Sequence, residues 1–206
     1  MLLVVRHGQT ASNAAGLLLG RADECLLALE RARDLDPLSP FAQRSVCRAL
    51  YFDRRHDRAA SEARRLLARF PGYTLAQVDL ASALLAQEDA AGAGVVLTEA
   101  RALRPDDPRL AALAGFAAAR SGDRDTARGA LATLDALART RYVTPVDRAI
   151  VRLGLGERDA ALDRLEAARA ERDTWVPWLR CWPLFDELRG TPRFDALAAV
   201  SGPSSA

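Results

Sequence analysis

The chain contains no lysine: all 29 of its basic residues are arginine. With heavy use of alanine and leucine, that pattern points to a GC-rich coding bias, so the arginines carry little weight as a sign of nucleic-acid binding. A net charge of +2, with 27 acids interleaved, leaves no extended basic field. The arginine pairs at 54–55 and 64–65 are the one feature that would favour nucleic acid, and nucleic acid is not the expected partner. Cysteine is scarce as well. Three residues (Cys25, Cys47 and Cys181) with no CxxC spacing exclude a disulfide framework and read as small packing residues. Two histidines are too few for a histidine-rich metal site, and no metal or cofactor is expected. Half the residues are apolar, yet no run approaches the ~18–20 that would span a bilayer. The opening MLLVV is short and runs straight into Arg6 and His7, a poor signal peptide. No membrane association and a cytoplasmic location are therefore expected.

What the chain does contain is a period. Residues 121–131 read SGDRDTARGAL and residues 155–165 read LGERDAALDRL, an offset of 34. The same beat links Cys25, Ala59, Ala93, Ala127 and Ala161, and it links Pro37, Pro71 and Pro105. A constant period of this length signals stacked supersecondary units rather than one globular core. Within each unit a small residue lets a second helix (B) lie close against a first (A). A further residue follows four positions later at helical spacing: Leu29, Leu97, Leu131 and Leu165. Polar corners precede each B helix, with Gly122 and Gly156 suited to ending an A helix and aspartates suited to capping the next. Proline after the B helix turns the chain into the next unit.

The small residue early in helix B, a second one seven later (Ala32, Ala100, Ala168) and the following proline together resemble the tetratricopeptide repeat over residues 23–172. The resemblance implies an all-α fold, a right-handed superhelix of antiparallel helix pairs. The family's Trp and Tyr on helix A are not matched. Ala63 and Leu66 are swapped in size relative to the other copies, and Arg139 stands where a further proline was due. The spacing predicts A and B helices over 40–52 and 57–69, 75–86 and 90–103, 108–120 and 124–139, and 145–153 and 158–172. Gly92 and Gly94 would weaken the third unit's B helix.

Residues 1–22 read differently. The run MLLVV, then Arg6-His7-Gly8-Gln9-Thr10 and Asn13, resembles the N-terminal motif of the histidine phosphatase superfamily, the phosphoglycerate-mutase-like enzymes. That resemblance implies His7 as a phosphoryl-accepting nucleophile, Arg6 as a phosphate ligand and Asn13 beside them. The chemistry also requires donors for the equatorial oxygens and an acid for the leaving oxygen. The only other histidine, His56, lies in a repeat corner, outside the family's setting. The alternative is a remnant of fusion or truncation acting as an end cap, with residues 11–19 a makeshift A helix and residues from Gly20 already in repeat register.

Residues 173–200 hold all three tryptophans: Trp175, Trp178 and Trp182. Their spacing predicts one face of a helix with Pro177 in its first turn, sealing the last repeat, with 201–206 a tail. The function expected is a non-catalytic protein–protein interaction scaffold that takes a peptide or a partner's helix in a concave groove. Arg44, Arg48, Arg120, Arg148 and Arg152 are the candidate groove residues. Phosphoryl transfer through His7 is the alternative.

Overall fold

The computed structural model describes residues 22–199. Among these there are ten α-helices, two short 3-10 segments and no strand. A lone B helix, α1 (Ala22–Leu35), comes first. Four pairs follow: α2 (Pro40–Phe52) with α3 (His56–Arg69), α4 (Thr74–Ala86) with α5 (Ala90–Leu103), α6 (Pro108–Arg120) with α7 (Arg124–Leu137), and α8 (Pro145–Gly154) with α9 (Arg158–Ala170). Each A helix (α2, α4, α6, α8) packs on its own B helix and on the B helix before it, and neighbouring A helices touch. That is the architecture of a helical-repeat solenoid. None of the helices is long and apolar enough to cross a membrane among the described residues. The expectations for His7, Arg6, Asn13, the makeshift helix over 11–19 and the tail over 201–206 lie outside the described residues.

The period is visible in the backbone itself. Left-handed residues recur at Arg54 (φ 65°), Glu88 (φ 63°), Gly122 (φ 89°) and Gly156 (φ 78°), one per unit at the corner between A and B. Glycine adopts this conformation without cost, whereas an L side chain is strained there by roughly 1–2 kcal/mol. Two corners therefore carry strain that the other two avoid. Asp89 and Asp123 cap their B helices, accepting from the Gly92 and Thr126 amides at 2.8 and 3.0 Å. The equivalent Arg55 and Glu157 make no side-chain cap.

The small positions seat the helix pairs. Ala59, Ala93, Ala127 and Ala161 are all buried, whereas Cys25, in the outermost unit described, is partly exposed. The Ala63/Leu66 swap is tolerated because both side chains are fully buried and the pair keeps its volume. Gly115 permits a close approach: a Cβ there would stand 2.6 Å from the Ala130 Cβ and 3.1 Å from a Val151 methyl.

Beyond α9 the expected Trp-bearing helix does not form. The chain instead makes 3-10 turns at Val176–Trp178 and Pro183–Leu188, then a final helix, α10 (Pro192–Ala199), packed on α9. Pro183 is the physical reason. It has no amide hydrogen to donate and its ring clashes one turn back, so a helix with Pro177 in its first turn cannot run on through Trp182.

Candidate partner-binding groove

The A helix α4 is extensively buried: Thr74, Ala76, Gln77, Leu80, Ala81 and Ser82 through Leu85 all are. The inner side of the A helices carries charged residues, Arg44, Asp79, Arg109 and Asp147 among them, and it is covered by the chain's own residues 173–189.

That strap leaves α9 at Arg172, which is left-handed (φ 56°), and is pinned at once by Asp173. The Asp173 carboxylate accepts from the Trp175 amide at 2.8 Å and from the Tyr142 hydroxyl at 2.9 Å. The strap then crosses the A helices. Arg109 of α6 lies over the Trp175 and Trp182 rings, 4.3 and 5.0 Å from their centroids. Trp178 stacks on Phe52 of α2 at 4.9 Å, with Arg48 over it at 5.2 Å. The second 3-10 turn packs on α4. Asp186 pairs bidentately with Arg54, 132 residues away in sequence and at the far corner of the second unit. Glu187 accepts from Arg120 at 2.9 Å and lies 3.6 Å from Arg158. Trp178, Leu179, Trp182, Leu184, Phe185 and Leu188 are buried. The tryptophans thus lie along the inner face and extend well beyond the last repeat.

Beneath the strap, two ion pairs tie successive A helices together. Arg44 of α2 holds Asp79 of α4, with Nε at 2.7 Å from Oδ2 and a second contact of 3.3 Å. Arg109 of α6 holds Asp147 of α8 at 2.6 Å, the latter only 2 % exposed. Burial pushes both carboxyls above their ordinary range, and the paired arginines hold them partly back. Burial also lowers Arg48, and the charge of Asp79 partly compensates.

The five candidate arginines do not form one row. Arg44, Arg48 and Arg120 lie on the inner face. Arg44 is committed to Asp79, Arg48 to the Phe52 and Trp178 rings, and Arg120 to Glu187 with Phe116 beneath it. Arg148 turns instead toward the preceding B helix, donating to Asp135 at 2.9 Å and to the Val143 and Leu134 carbonyls. Arg152 closes its own corner on Glu157 at 2.9 Å. Sequence reasoning missed Arg54 and Arg109. Both lie on the repeat framework, but Asp186, the partner of Arg54, and the two indoles against Arg109 come from outside it, so no spacing marks them. The available signal was the aromatic-then-acidic order of the tail, WPLFDE.

His56 opens α3 with its ring 5.7 Å from Tyr51 and its Nδ1 buried without a hydrogen-bond partner. Burial lowers its pKa, and the nearby Arg54 charge adds to that. Burial raises the thiols of Cys47, to about 12, and Cys181, to about 11, as expected of packing cysteines rather than reactive ones. No group of side chains suited to a metal ion occurs among the described residues.

Residues 53–115 match the family model of the tetratricopeptide repeat. No curated protein matches the chain. Among solved structures, a thermophilic TPR protein of Thermus thermophilus is similar, with a TM-score of 0.62 and 23% identity, over 92% of this chain and 98% of that one. The Cut9–Hcn1 hetero-tetramer of the APC/C is similar with a TM-score of 0.60 and 17% identity, over 97% of this chain and 44% of that one. Residues 53–115 thus match the tetratricopeptide repeat, and the described residues fold as a helical solenoid like those of tetratricopeptide-repeat proteins.

Proposed function

We propose that the protein is a non-catalytic protein-interaction scaffold and that its concave face, walled by α2, α4, α6 and α8, receives a segment of partner polypeptide. One observation carries the reading. That face already accommodates a stretch of polypeptide built of turns and short 3-10 segments, residues 173–189, through stacked rings and charge-assisted hydrogen bonds. Repeat solenoids use such inner surfaces for recognition because neighbouring units offer pockets at regular steps. Of the five candidate arginines, Arg48 and Arg120 touch this stretch directly, as Arg109 also does, and Arg44 holds the wall in place through Asp79.

Binding of the full-length protein to a peptide array tests the proposal. Replacing Arg48 and Arg120 by alanine should remove most of the peptides bound by the unaltered chain. Unchanged binding by that variant would refute the groove as the partner site.

A further inference from the structure

The strap is an excursion anchored twice on one helix. It departs from the end of α9 and returns to α9 through α10, which Arg193 fastens to Asp163 at 2.7 Å and to Glu166 at 2.9 Å. Left-handed residues mark both ends of the excursion, Arg172 (φ 56°) and Gly190 (φ 79°). Residues 173–189 are thus tethered at both ends on α9. Their departure exposes the buried Trp178, Leu179, Trp182, Leu184, Phe185 and Leu188, so only a segment that buries comparable rings in their place offsets the cost. The strap's backbone hydrogen bonds are short-range turns within itself, such as Trp178 to Trp175 and Phe185 to Trp182, and among the described residues none joins its backbone to that of an A helix. At its far end it is fastened by Asp186 and Glu187, on arginines that are 40 % and 45 % exposed. Exposed pairs of this kind are weak, about 0–1 kcal/mol each.

We propose that residues 173–189 are a tethered internal ligand, displaced by a partner segment of the same chemistry. Such a segment presents indole or phenyl rings to Arg48 and Arg109, followed by adjacent carboxylates for Arg54 and Arg120. Two guanidinium groups lie over strap rings, and two more take successive acidic side chains. A basic segment would set like charge against these four arginines, and a purely aliphatic one would leave the outer two unpaired. The inference rests on the concave-face reading above and adds to it the identity class of the partner and a competitor built into the chain.

The test uses the full-length protein and a fluorescein-labelled peptide copying residues 173–189, followed by anisotropy. Trp178→Ala in the protein weakens the strap's hold while leaving Arg48 free for the peptide's own indole. Asp186→Asn is a gentler second variant that frees Arg54 without touching the buried rings. Trp178→Ala should bind the peptide at least tenfold tighter than the unaltered chain, and Asp186→Asn about two- to fivefold tighter, as loss of one exposed pair allows. Adding Arg48→Ala to Trp178→Ala should return that gain, as should the corresponding Trp→Ala change in the peptide. Should Trp178→Ala fail to fold by circular dichroism, Asp186→Asn decides alone, with Arg54→Ala added to it in place of Arg48→Ala. If folded variants bind the copied peptide no tighter than the unaltered chain, or bind it regardless of these arginines, the internal-ligand proposal is overturned. If array peptides of other composition still bind those variants through Arg48, the concave-face reading survives that failure. If no peptide binds any loosened variant, both readings fall.

Discussion

Replacing Asp147 by alanine should cost the protein about 3 kcal/mol of stability, and the structure says why. Asp147 is 2 % exposed, and its partner Arg109 is confined between that carboxylate and two indole rings. Removing one member of a buried pair leaves the other charge uncompensated, typically a loss of about 3–5 kcal/mol. The Arg109 side chain keeps 16 % of its exposure, so water can reach part of the guanidinium and the lower end of that range applies. The loss is a large fraction of the ~5–15 kcal/mol that holds a typical domain together. Replacing both partners with apolar residues of similar size (Arg109→Met with Asp147→Leu) removes the orphaned charge and should come within about 1 kcal/mol of the original. Urea unfolding measures both variants, read by tryptophan emission and by far-UV circular dichroism. All three tryptophans lie in the strap, so emission reports strap release and circular dichroism reports the helices. A single variant within about 1 kcal/mol of the parent, or a double variant as unstable as the single, would refute the assignment of Arg109–Asp147 as a buried clamp.

Three further perturbations follow from the same geometry. Gly94→Ala should raise stability by about 1 kcal/mol in thermal or urea unfolding, because an added Cβ meets nothing within 4 Å in the middle of α5. Gly115→Ala should lower it by about 1–3 kcal/mol, since the new methyl would overlap the Ala130 Cβ and press on Val151. Acid should loosen the strap before it unfolds the helices. Burial alone would raise the Asp186 carboxyl, but Arg54 and Arg189 outweigh it and hold it below the usual range. That contribution is present above the unfolded carboxylate pKa of about 4 and is lost as pH falls through the lower folded value. Tryptophan emission should therefore shift to the red below about pH 4 ahead of the circular-dichroism change, and Asp186→Asn should remove that early shift.

Much of the solenoid was legible in the sequence because each unit's determinants are local. The helix–turn–helix units predicted over 40–172 match the observed helices to within two residues at each end. A small residue four before a larger one, a proline after the B helix and an aspartate in the corner all act within one helix pair. The corners at Arg54 and Glu88 were harder to read as left-handed, because the residue type that announces that conformation is absent and packing imposes it instead. The strap was not legible at all. Its determinants are pairings such as Arg54 with Asp186 and Phe52 with Trp178, separated by more than a hundred residues and tied to no period. Hydrophobic spacing suggested a helix through Trp175, Trp178 and Trp182, and Pro183 overrode it. The inner-face arginines show the same division: their helical positions could be predicted, but their commitments to Asp79, Trp178 and Glu187 depend on tertiary closure.

The claim on which the account depends is that residues 173–189 lie along the inner face of the A helices. Nuclear Overhauser contacts between the Phe52 ring and the Trp178 indole test it most directly, because the two ring centroids are 4.9 Å apart. Strong cross-peaks between those rings are expected. Cross-peaks from Trp178 only to residues of α9 and α10 would contradict it and return the tryptophans to the end of the solenoid.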